Sequence, residues 1–238
     1  MQTSDLIQFI DLTNLNEDAT EDQISDLCNK ASTPQGNVAA VCIYPQFVAL
    51  AVNKLKNTGI NVATVVNFPA GHDSLSECEI LINAALKDGA HEIDVVMPYH
   101  FLKENNVNAV LNFISGCRET CGENIILKVI LETGALSPNQ IENAAILAIQ
   151  GGADFLKTST GKIKMGATPE AAKIILQNIK KQNKPIGFKV SGGIRTIADA
   201  VLYHNLTLNI LGKKQLTADI FRIGASQLLD VILSQDKS

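Results

Sequence analysis

The fold of this chain follows from residues 125–158, which read IILKVILETGALSPNQIENAAILAIQGGADFLKT. The two ends, Ile125–Glu132 and Asp154–Thr158, contain the apolar runs that are typical of buried strands. Between them, Ser137 directly before a proline is typical of a helix N-cap, so the segment Pro138–Gln150 is predicted to be a helix. The glycine pair that follows is typical of a helix end. The stretch therefore predicts a strand, a helix and a second strand parallel to the first.

The same alternation runs along the whole chain, without a linker or a low-complexity segment. Strands recur about every 30 residues, which is the size of a βα unit. Eight strands that alternate with eight helices predict one domain over residues 1–238, folded as an α/β protein of the (β/α)8 TIM-barrel class. A doubly wound open sheet is the alternative, but no G-x-G-x-x-G motif follows the first strand. The predicted strands are Phe9–Thr13, Ala39–Ile43, Val62–Asn67, Glu92–Met97, Ile125–Glu132, Asp154–Thr158, Ile186–Val190 and Phe221–Ala225. The predicted helices are Glu21–Ala31, Gln46–Thr58, Ser74–Asp88, Val107–Thr120, Pro138–Gln150, Pro169–Gln182, Ile197–His204 and Gln227–Ser234.

Composition excludes several classes of protein. Of the 238 residues, 46% are hydrophobic and 18% are charged, which excludes an intrinsically disordered chain. The net charge of −4 argues against binding to nucleic acid or to an anionic membrane surface. Proline and glycine interrupt the uncharged segment 31–53, so it does not predict a membrane span, and residues 1–5 lack the features of a signal peptide. We therefore expect a cytoplasmic location.

The cysteines and histidines do not form a recognisable metal or disulfide pattern. An odd, scattered set of five cysteines is not a disulfide framework, and reduced thiols are typical of the cytoplasm. None of the four histidines has zinc-ligand spacing with a cysteine pair, so no metal site is expected. The cysteines are Cys28, Cys42, Cys78, Cys117 and Cys121.

Charged residues interrupt several of the predicted strands, and five of them are candidates for function. Three successive strands carry Lys128, Lys157 and Lys189, while Asp94 and Asp11 lie on two others. A single strand lysine could extend its ammonium group to solvent. Three on neighbouring strands favour a functional cluster, because lysine is almost never fully buried unless it is paired. In a barrel of this class the active site lies at the carboxyl ends of the strands, where these residues are expected.

Adjacent lysines point to a specific chemistry. A free lysine has a pKa of about 10.4 and is protonated at neutral pH, so it is not a nucleophile. A second cation nearby or an apolar setting lowers that pKa. The neutral amine then forms a Schiff base with a carbonyl compound. The iminium withdraws electrons from the bond between the α and β carbons of the former carbonyl, so that this bond can break. The pattern predicts a class I aldolase.

Two glycine-containing segments are candidates for phosphate binding. Ser191-Gly192-Gly193 follows the seventh strand and Gly224-Ala225-Ser226 ends the eighth, where barrels often bind phosphate. A third segment, Ser159-Thr160-Gly161-Lys162, resembles the end of a P-loop. That motif needs glycine where Leu156 stands and serine or threonine where Ile163 stands, so no ATP site is predicted.

Nearly the whole chain, from about Phe9 to Leu229, resembles the class I 2-deoxy-D-ribose-5-phosphate aldolases. The two lysine segments FLKTSTG and GFKVSGGIRT carry most of this resemblance. The matching segments are Asp11–Thr13, Val41–Pro45, Asn67–Pro69, Glu92–Val96, Lys128–Gly134, Phe155–Gly161, Gly187–Thr196 and Phe221–Ser226.

The resemblance implies a role for each matching residue. It implies that Lys157 forms the Schiff base, that Lys189 lowers its neighbour's pKa and exchanges protons, and that Asp94 relays protons with a water molecule. Lys128 and Thr158 are implied to surround that relay. The implied substrate contacts are Asp11, Thr13 and Cys42, and the implied phosphate contacts are Gly161, Gly192, Gly193 and Ser226.

The resemblance also implies a reaction, the reversible cleavage of 2-deoxyribose 5-phosphate into glyceraldehyde 3-phosphate and acetaldehyde, without metal or organic cofactor. Small sugar phosphates and aldehydes are then the expected partners, and a homodimer is the expected assembly. Two alternatives remain: an aldolase for another sugar phosphate, and a non-catalytic sugar-phosphate sensor. A sensor would be expected to lose Lys157, Lys189 or Asp94, and all three are present.

The chain departs from the family pattern at two places. Some members end in a tail with a C-terminal tyrosine that assists proton transfer, but no tyrosine follows Tyr203 here. We therefore expect proton transfer at the enamine carbon to depend more on Asp94, Lys189 and water. Gln227 stands where many members have a second serine, which alters one phosphate contact.

Overall fold

Eight parallel strands form a closed barrel in the computed structural model, which describes residues 2–182 and 184–235. The first strand pairs with both the second and the last, so the sheet closes and the doubly wound alternative is wrong. The prediction of a (β/α)8 barrel is confirmed. The strands are β1 Ile10–Asn14, β2 Ala40–Ile43, β3 Asn61–Val66, β4 Glu92–Val96, β5 Ile126–Ile130, β6 Phe155–Lys157, β7 Gly187–Ser191 and β8 Phe221–Ala225.

A main helix follows each strand and packs on the outside of the barrel. Capping side chains mark several helix starts, and the cap predicted at Ser137 is confirmed. Thr20 and Gln23 form a reciprocal capping box, and Ser137 and Thr168 cap helices whose first residue is proline. The helices are α1 Glu21–Lys30, α2 Val48–Lys54, α3 Leu75–Lys87, α4 Val107–Cys121, α5 Pro138–Gln150, α6 Pro169–Lys180, α7 Ile197–Leu211 and α8 Leu228–Gln235.

Two helices differ from their predicted bounds by more than two residues. The helix predicted to end at His204 extends as α7 to Leu211 and stops before Gly212, which is left-handed. Its second half, LTLNIL, is apolar on most sides, so the helical period fades there. The helix predicted over Gln46–Thr58 begins as a 3-10 turn and ends at Lys54, shortly before the left-handed Asn57.

Several short elements were not predicted from the sequence. Short 3-10 and α segments carry no full helical period, and two-residue strands carry no alternation, so neither has a periodic signal. They are the 3-10 helices Thr3–Phe9 and Thr133–Ala135, the helix Tyr99–Lys103, and the hairpin of Ser32–Thr33 with Gly36–Asn37.

The buried side chains divide into two apolar sets and one charged set. The larger apolar set lies between the strands and the helices. A smaller set, Leu15, Ala40, Cys42, Ala63 and Val65, lies inside the barrel along β1–β3. The rest of the interior holds charged residues from the other strands and from β1, so one wall of the barrel is apolar and the opposite wall is ionic.

No helix among the described residues is both long and apolar enough to span a bilayer. The C-terminal tail lies mostly outside the described residues, because Asp236–Ser238 are not among them.

Candidate active site

Asp94 on β4 is the centre of the charged wall. Its Oδ1 atom accepts a hydrogen bond from Lys128 Nζ at 2.7 Å. Its Oδ2 atom accepts from both Lys157 Nζ and Lys189 Nζ, each at 2.7 Å. The barrel thus brings one carboxylate and three predicted lysines into direct contact, and all four side chains are buried.

Strand register explains this convergence. Asp94 pairs with Lys128 across β4 and β5, and Lys157 pairs with Lys189 across β6 and β7. Register partners in a parallel sheet point to the same face. The four strands are consecutive around the barrel, so their inward side chains meet at its axis.

A second group of charges lies among the same side chains. Asp11 on β1 contacts Lys189 Nζ at 2.5 Å and the guanidinium of Arg222 at 2.7 Å. The same guanidinium contacts Glu92 at 3.0 Å, and Glu92 also pairs with Lys128. Asn61 Nδ2 donates a further hydrogen bond to Glu92 at 2.7 Å.

Sequence reasoning assigned no role to Glu92 or Arg222. A signal for Glu92 exists, since it stands two residues before Asp94 and shares its face of the strand. Arg222 has a weaker signal. It is the register partner of Lys189, but that pairing is known only once β7 and β8 are aligned.

A cavity of about 540 Å³ opens above the charged wall at the carboxyl ends of the strands. Lys157 lines this cavity, whereas Lys128, Lys189 and Asp94 lie beneath it. A molecule in the cavity therefore meets the amine of Lys157 before it meets the rest of the cluster.

The predicted phosphate contacts lie together on one side of this cavity. Gly161, Gly192, Gly193 and Ser226 all line it. Both glycines of the Gly192-Gly193 turn have positive φ angles, of 85° and 94°. Gly192 has little room for a side chain, since an added Cβ would lie 3.1 Å from both the Cα of Gly166 and the Cβ of Ser159. The turn is thus a backbone surface that only glycine forms without strain.

Three further polar residues line the cavity and were not among the predicted phosphate contacts. Lys162 and Arg195 supply cationic groups, and Gln227 lies beside Ser226. Lys162 Nζ donates to the carbonyl oxygen of Leu15, which also lines the cavity, at 2.6 Å. Cations beside exposed backbone amides form a site suited to an anion.

Of the predicted substrate contacts, the structure places one at the cavity. Thr13 lines it. Asp11 is buried in the ion network, and Cys42 is buried with its Sγ atom 3.9 Å from Asp94 Oδ2, so both lie below the cavity wall. Thr158 was predicted to surround the proton relay, but its hydroxyl pairs with the backbone of Ser191, donating at 2.9 Å and accepting at 3.0 Å. Its contacts therefore join β6 to β7.

Glu132 holds the loop after β6 in place. It has a positive φ of 54°, and its carboxylate accepts hydrogen bonds from the Thr160 hydroxyl and, at 3.3 Å, from the Thr160 amide. The Lys162 amide donates in turn to the Thr160 hydroxyl at 3.1 Å. Sequence reasoning missed Glu132 because its contact depends on the bend after β5.

The three lysines have different electrostatic settings. Burial lowers the pKa of Lys157, the ammonium of Lys189 lowers it further, and the Asp94 carboxylate only partly opposes them, so it lies below its usual value. Burial alone would also lower the pKa of Lys189, but Asp11 and Asp94 raise it well above its usual value. Lys157 is therefore the amine shifted toward its neutral form.

The other two members of the cluster are held charged. Burial would lower the pKa of Lys128, but Asp94 and Glu92 outweigh it and raise that pKa. For Asp94, burial would raise the pKa, but the surrounding ammonium groups hold it well below its usual value. The site thus contains a carboxylate and two ammonium groups around one amine of lowered pKa.

In the described part of the chain, no three His, Cys, Asp or Glu side chains are grouped so that they could hold a metal ion. The polar residues that line the cavity are instead lysine, arginine, and residues with hydroxyl or amide side chains.

Comparison with known proteins agrees with this geometry. The family model described as DeoC/LacD family aldolase matches residues 5–228. A candidate deoxyribose-phosphate aldolase from Coccidioides immitis is 32% identical, with a TM-score of 0.88 over 99% of this chain and 87% of that one. The aldolase QR15 is 29% identical, with a TM-score of 0.83 over 98% of this chain and 96% of that one. A tetrameric deoxyribose phosphate aldolase from Aeropyrum pernix is 28% identical, with a TM-score of 0.81 over 100% and 93%.

Proposed function

This chain belongs to the DeoC/LacD family of aldolases, and from that premise we propose that it is a class I 2-deoxyribose-5-phosphate aldolase in which Lys157 forms the Schiff base. It cleaves the sugar phosphate reversibly into glyceraldehyde 3-phosphate and acetaldehyde. The carbon–carbon lyase class follows from the family. The substrate, the covalent mechanism and the residue roles are the proposal.

The observation that most strongly supports Lys157 as the Schiff-base residue is that it pairs with fewer buried carboxylates than the other two lysines. Among the described residues, Lys189 pairs with Asp11 and Asp94, and Lys128 pairs with Asp94, Glu92 and Asp11, whereas Lys157 pairs with Asp94 alone. Lys157 is also the lysine that reaches the cavity. The least compensated amine is thus the accessible one.

The charge count of the interior favours the same residue. The network contains four basic side chains, Lys128, Lys157, Lys189 and Arg222, and three carboxylates, Asp11, Glu92 and Asp94. A neutral amine at Lys157 leaves this ion-paired network with a net charge of zero, while an ammonium there leaves the network with one positive charge that no carboxylate within it balances. Glu132 is also buried nearby, but its hydrogen bonds go to Thr160. Buried, uncompensated charge is costly, so the neutral amine is favoured.

The amine of Lys157 attacks the C1 carbonyl of the open-chain sugar, and the carbinolamine loses water to give an iminium. Electrons of the C2–C3 bond move toward the iminium nitrogen, and the C3 hydroxyl loses its proton as C3 becomes the aldehyde of glyceraldehyde 3-phosphate. The enamine that remains on Lys157 takes a proton at C2, and water releases acetaldehyde. Asp94 and Lys189, both in contact with or beside the amine, exchange these protons together with water.

The phosphate is proposed to bind on the glycine side of the cavity. Gly161, Gly192, Gly193 and Ser226 line the space where it would lie, so their backbone amides and the Ser226 hydroxyl are the proposed hydrogen-bond donors. Lys162 and Arg195 add positive charge there, which supports an anionic substrate rather than a neutral sugar.

Reductive trapping tests the proposal. Acetaldehyde and cyanoborohydride should leave one ethyl group on Lys157, located by mass spectrometry of a digest. Lys157→Leu is the matched negative variant and should fold but lose both labelling and turnover. The reaction is run in EDTA, since an amine nucleophile needs no Lewis acid. Labelling at Lys128 or Lys189 instead, or activity that EDTA removes and zinc restores, would overturn the mechanism.

A comparison of substrates distinguishes the proposed enzyme from the two alternatives, an aldolase for another sugar phosphate and a non-catalytic sugar-phosphate sensor. Product formation from 2-deoxyribose 5-phosphate should exceed that from other sugar phosphates, measured as kcat/KM with a coupled assay for glyceraldehyde 3-phosphate. A higher kcat/KM for another sugar phosphate would reassign the substrate. Binding of the sugar phosphate without cleavage or trapping would identify a sensor.

A further inference from the structure

Beneath the amine, Arg222 links two of the buried carboxylates. Its guanidinium lies 2.7 Å from Asp11 and 3.0 Å from Glu92, and its Nε atom donates to the Ala218 carbonyl at 2.5 Å. Arg222 is buried and does not line the cavity. It is therefore too deep to contact a substrate held above Lys157.

Arg222 and Glu92 connect to the amine through two chains of ion pairs. One chain runs from Arg222 through Asp11 to Lys189 and then to Asp94. The other runs from Glu92 through Lys128 to the other oxygen of Asp94. Both chains end on the carboxylate that contacts Lys157 Nζ.

We propose that Arg222 and Glu92 are positioning residues which set the charge state of the Lys157 amine from below, with opposite signs. Arg222 supplies the fourth positive charge of the network, which adds to burial and to the Lys189 ammonium in opposing an ammonium at Lys157. Glu92 supplies a negative charge that limits this effect. The inference rests on the proposed function, because it assumes that the amine of Lys157 is the reacting group.

The signs follow from the charge count. Without Arg222, the described network holds three carboxylates and three lysines, so protonated Lys157 completes the balance. Without the charge of Glu92, two carboxylates face Lys128, Lys189 and Arg222, so protonated Lys157 is opposed more strongly. Removal of both charges restores the original balance.

Groups from every neighbouring element also face Lys157 and stay unchanged in this comparison. The cavity side adds Lys162 and Arg195, which are exposed to solvent and therefore screened. The groups on the surrounding elements are Asp11 on β1, Cys42 on β2, Asp94 on β4, Lys128 on β5, Glu132 after β5 and Lys189 on β7.

The expected size of the effect follows from the distance between strands. Lys157, Lys189 and Arg222 are register partners on β6, β7 and β8, so Lys157 and Arg222 are two strands apart, about 10 Å. At an effective dielectric constant of about 20, one charge at that distance shifts a pKa by about one unit.

The experiment measures the rate of acetaldehyde trapping on Lys157 against pH, with cyanoborohydride as the reductant. Three single variants and one double variant are compared with the parent protein: Arg222→Met, Arg222→Lys, Glu92→Gln and Glu92→Gln/Arg222→Met. The midpoint of the pH profile should rise by about one unit in Arg222→Met and fall in Glu92→Gln. It should stay near the parent value in Arg222→Lys and in the double variant.

A merely structural role for Arg222 predicts a different result. Damage to packing would slow trapping in Arg222→Lys and the double variant without opposite shifts, and that result would overturn the inference. If Arg222→Met does not fold, the other variants still test the inference. A trapping midpoint that falls in Glu92→Gln and goes back to the parent value in the double variant supports the inference. Unchanged midpoints in both variants overturn it. Trapping with acetaldehyde needs only imine formation, so this test holds even if the natural substrate is another sugar phosphate. Absence of label on Lys157 in the parent protein would instead contradict the proposed function itself.

Discussion

At the scale of single residues, the three lysines differ in the charge that surrounds each of them. Lys189 touches two carboxylates and sits beside Lys157 on the neighbouring strand. Its pKa is raised, so it keeps its positive charge across the neutral range, and that charge lowers the pKa of Lys157. Burial contributes more to the lowered pKa of Lys157 than Lys189 does. The lowered pKa of Lys157 thus has two causes, burial and the nearby ammonium of Lys189.

Lys189→Leu tests how much of the lowered pKa of Lys157 is caused by the charge of Lys189. Loss of the ammonium removes a repulsion, so the pKa of Lys157 rises and a smaller fraction of the enzyme holds a free amine at pH 7. The acidic limb of the kcat profile should move to higher pH. If the pKa of Lys157 rises by about one unit, kcat at pH 7 should fall about tenfold. An acidic limb at the parent position would mean that burial alone tunes Lys157.

Asp94→Asn tests the proton relay. The amide keeps the shape of the carboxyl group but cannot accept and return a proton, so kcat should fall by about 100-fold or more. The measurement is kcat per folded protein, with circular dichroism as the control, because three lysines lose their shared partner. Unchanged kcat would reduce Asp94 to a structural counter-ion.

Ser226→Asp tests where the phosphate binds. A carboxylate at this position repels a phosphate bound by the adjacent turn, so KM for deoxyribose 5-phosphate should rise far more than KM for unphosphorylated deoxyribose. Ser226→Ala is the matched control, since it removes the hydroxyl without adding charge. An equal loss on both sugars from Ser226→Asp would place the phosphate elsewhere.

At the scale of elements, the strands and helix starts were predictable because their signals are local. All eight barrel strands were predicted to within about two residues at each end, and the capping serines and threonines marked where helices begin. What could not be predicted depends on how strands align. The inward contacts of Arg222 with Asp11 and Glu92 join β8 to β1 and β4, and no local pattern contains that information.

The capping box of α5 gives a prediction at this scale. Ser137 Oγ accepts from the Gln140 amide, and the Gln140 side chain accepts from the Ser137 amide at 2.9 Å. Ser137→Ala removes the first of these bonds and should lower the free energy of unfolding by about 1 kcal/mol, measured by urea denaturation. Asn139→Ala, at an exposed position in the same helical turn, is the control and should change it by less than about 0.5 kcal/mol. Equal effects from both variants would show that the box contributes nothing specific.

At the scale of the whole molecule, the ion network joins distant parts of the chain across the barrel axis. Residues from β1, β4, β5, β6, β7 and β8 share it, so none of these strands can leave without exposing a partner's buried charge. This supports the proposal that the chain over residues 1–238 unfolds as one domain. The apolar wall of β2 and β3 packs against the same interior, so it should unfold in the same step.

Unfolding at acid pH tests whether the ion network and the barrel unfold together as one domain. The pKa values of Asp11 and Asp94 are lowered in the folded protein, Asp94 because three lysines outweigh its burial and Asp11 because Lys189 and Arg222 do. A lowered carboxyl pKa stabilises the fold fully above the unfolded value of about 3.9, and that stabilisation is lost as the pH falls through the folded value. Unfolding at acid pH should therefore take up about two protons on account of these two groups.

Asp94→Asn should reduce that uptake by about one proton, seen as a shallower dependence of the free energy of unfolding on pH between about 5 and 3. Asp26→Asn, which changes an exposed carboxylate on α1, is the control and should leave the slope as it is. Urea denaturation at a series of pH values measures the slopes, and circular dichroism and trapping on Lys157 follow the same samples. Trapping is normalised at each pH to its value without urea, because protonation of the amine also slows it. The two signals should disappear together, because the network that holds the amine also holds the barrel closed. Loss of trapping well before loss of secondary structure would show that the charged wall opens as a separate unit, and the barrel would then not be one cooperative domain.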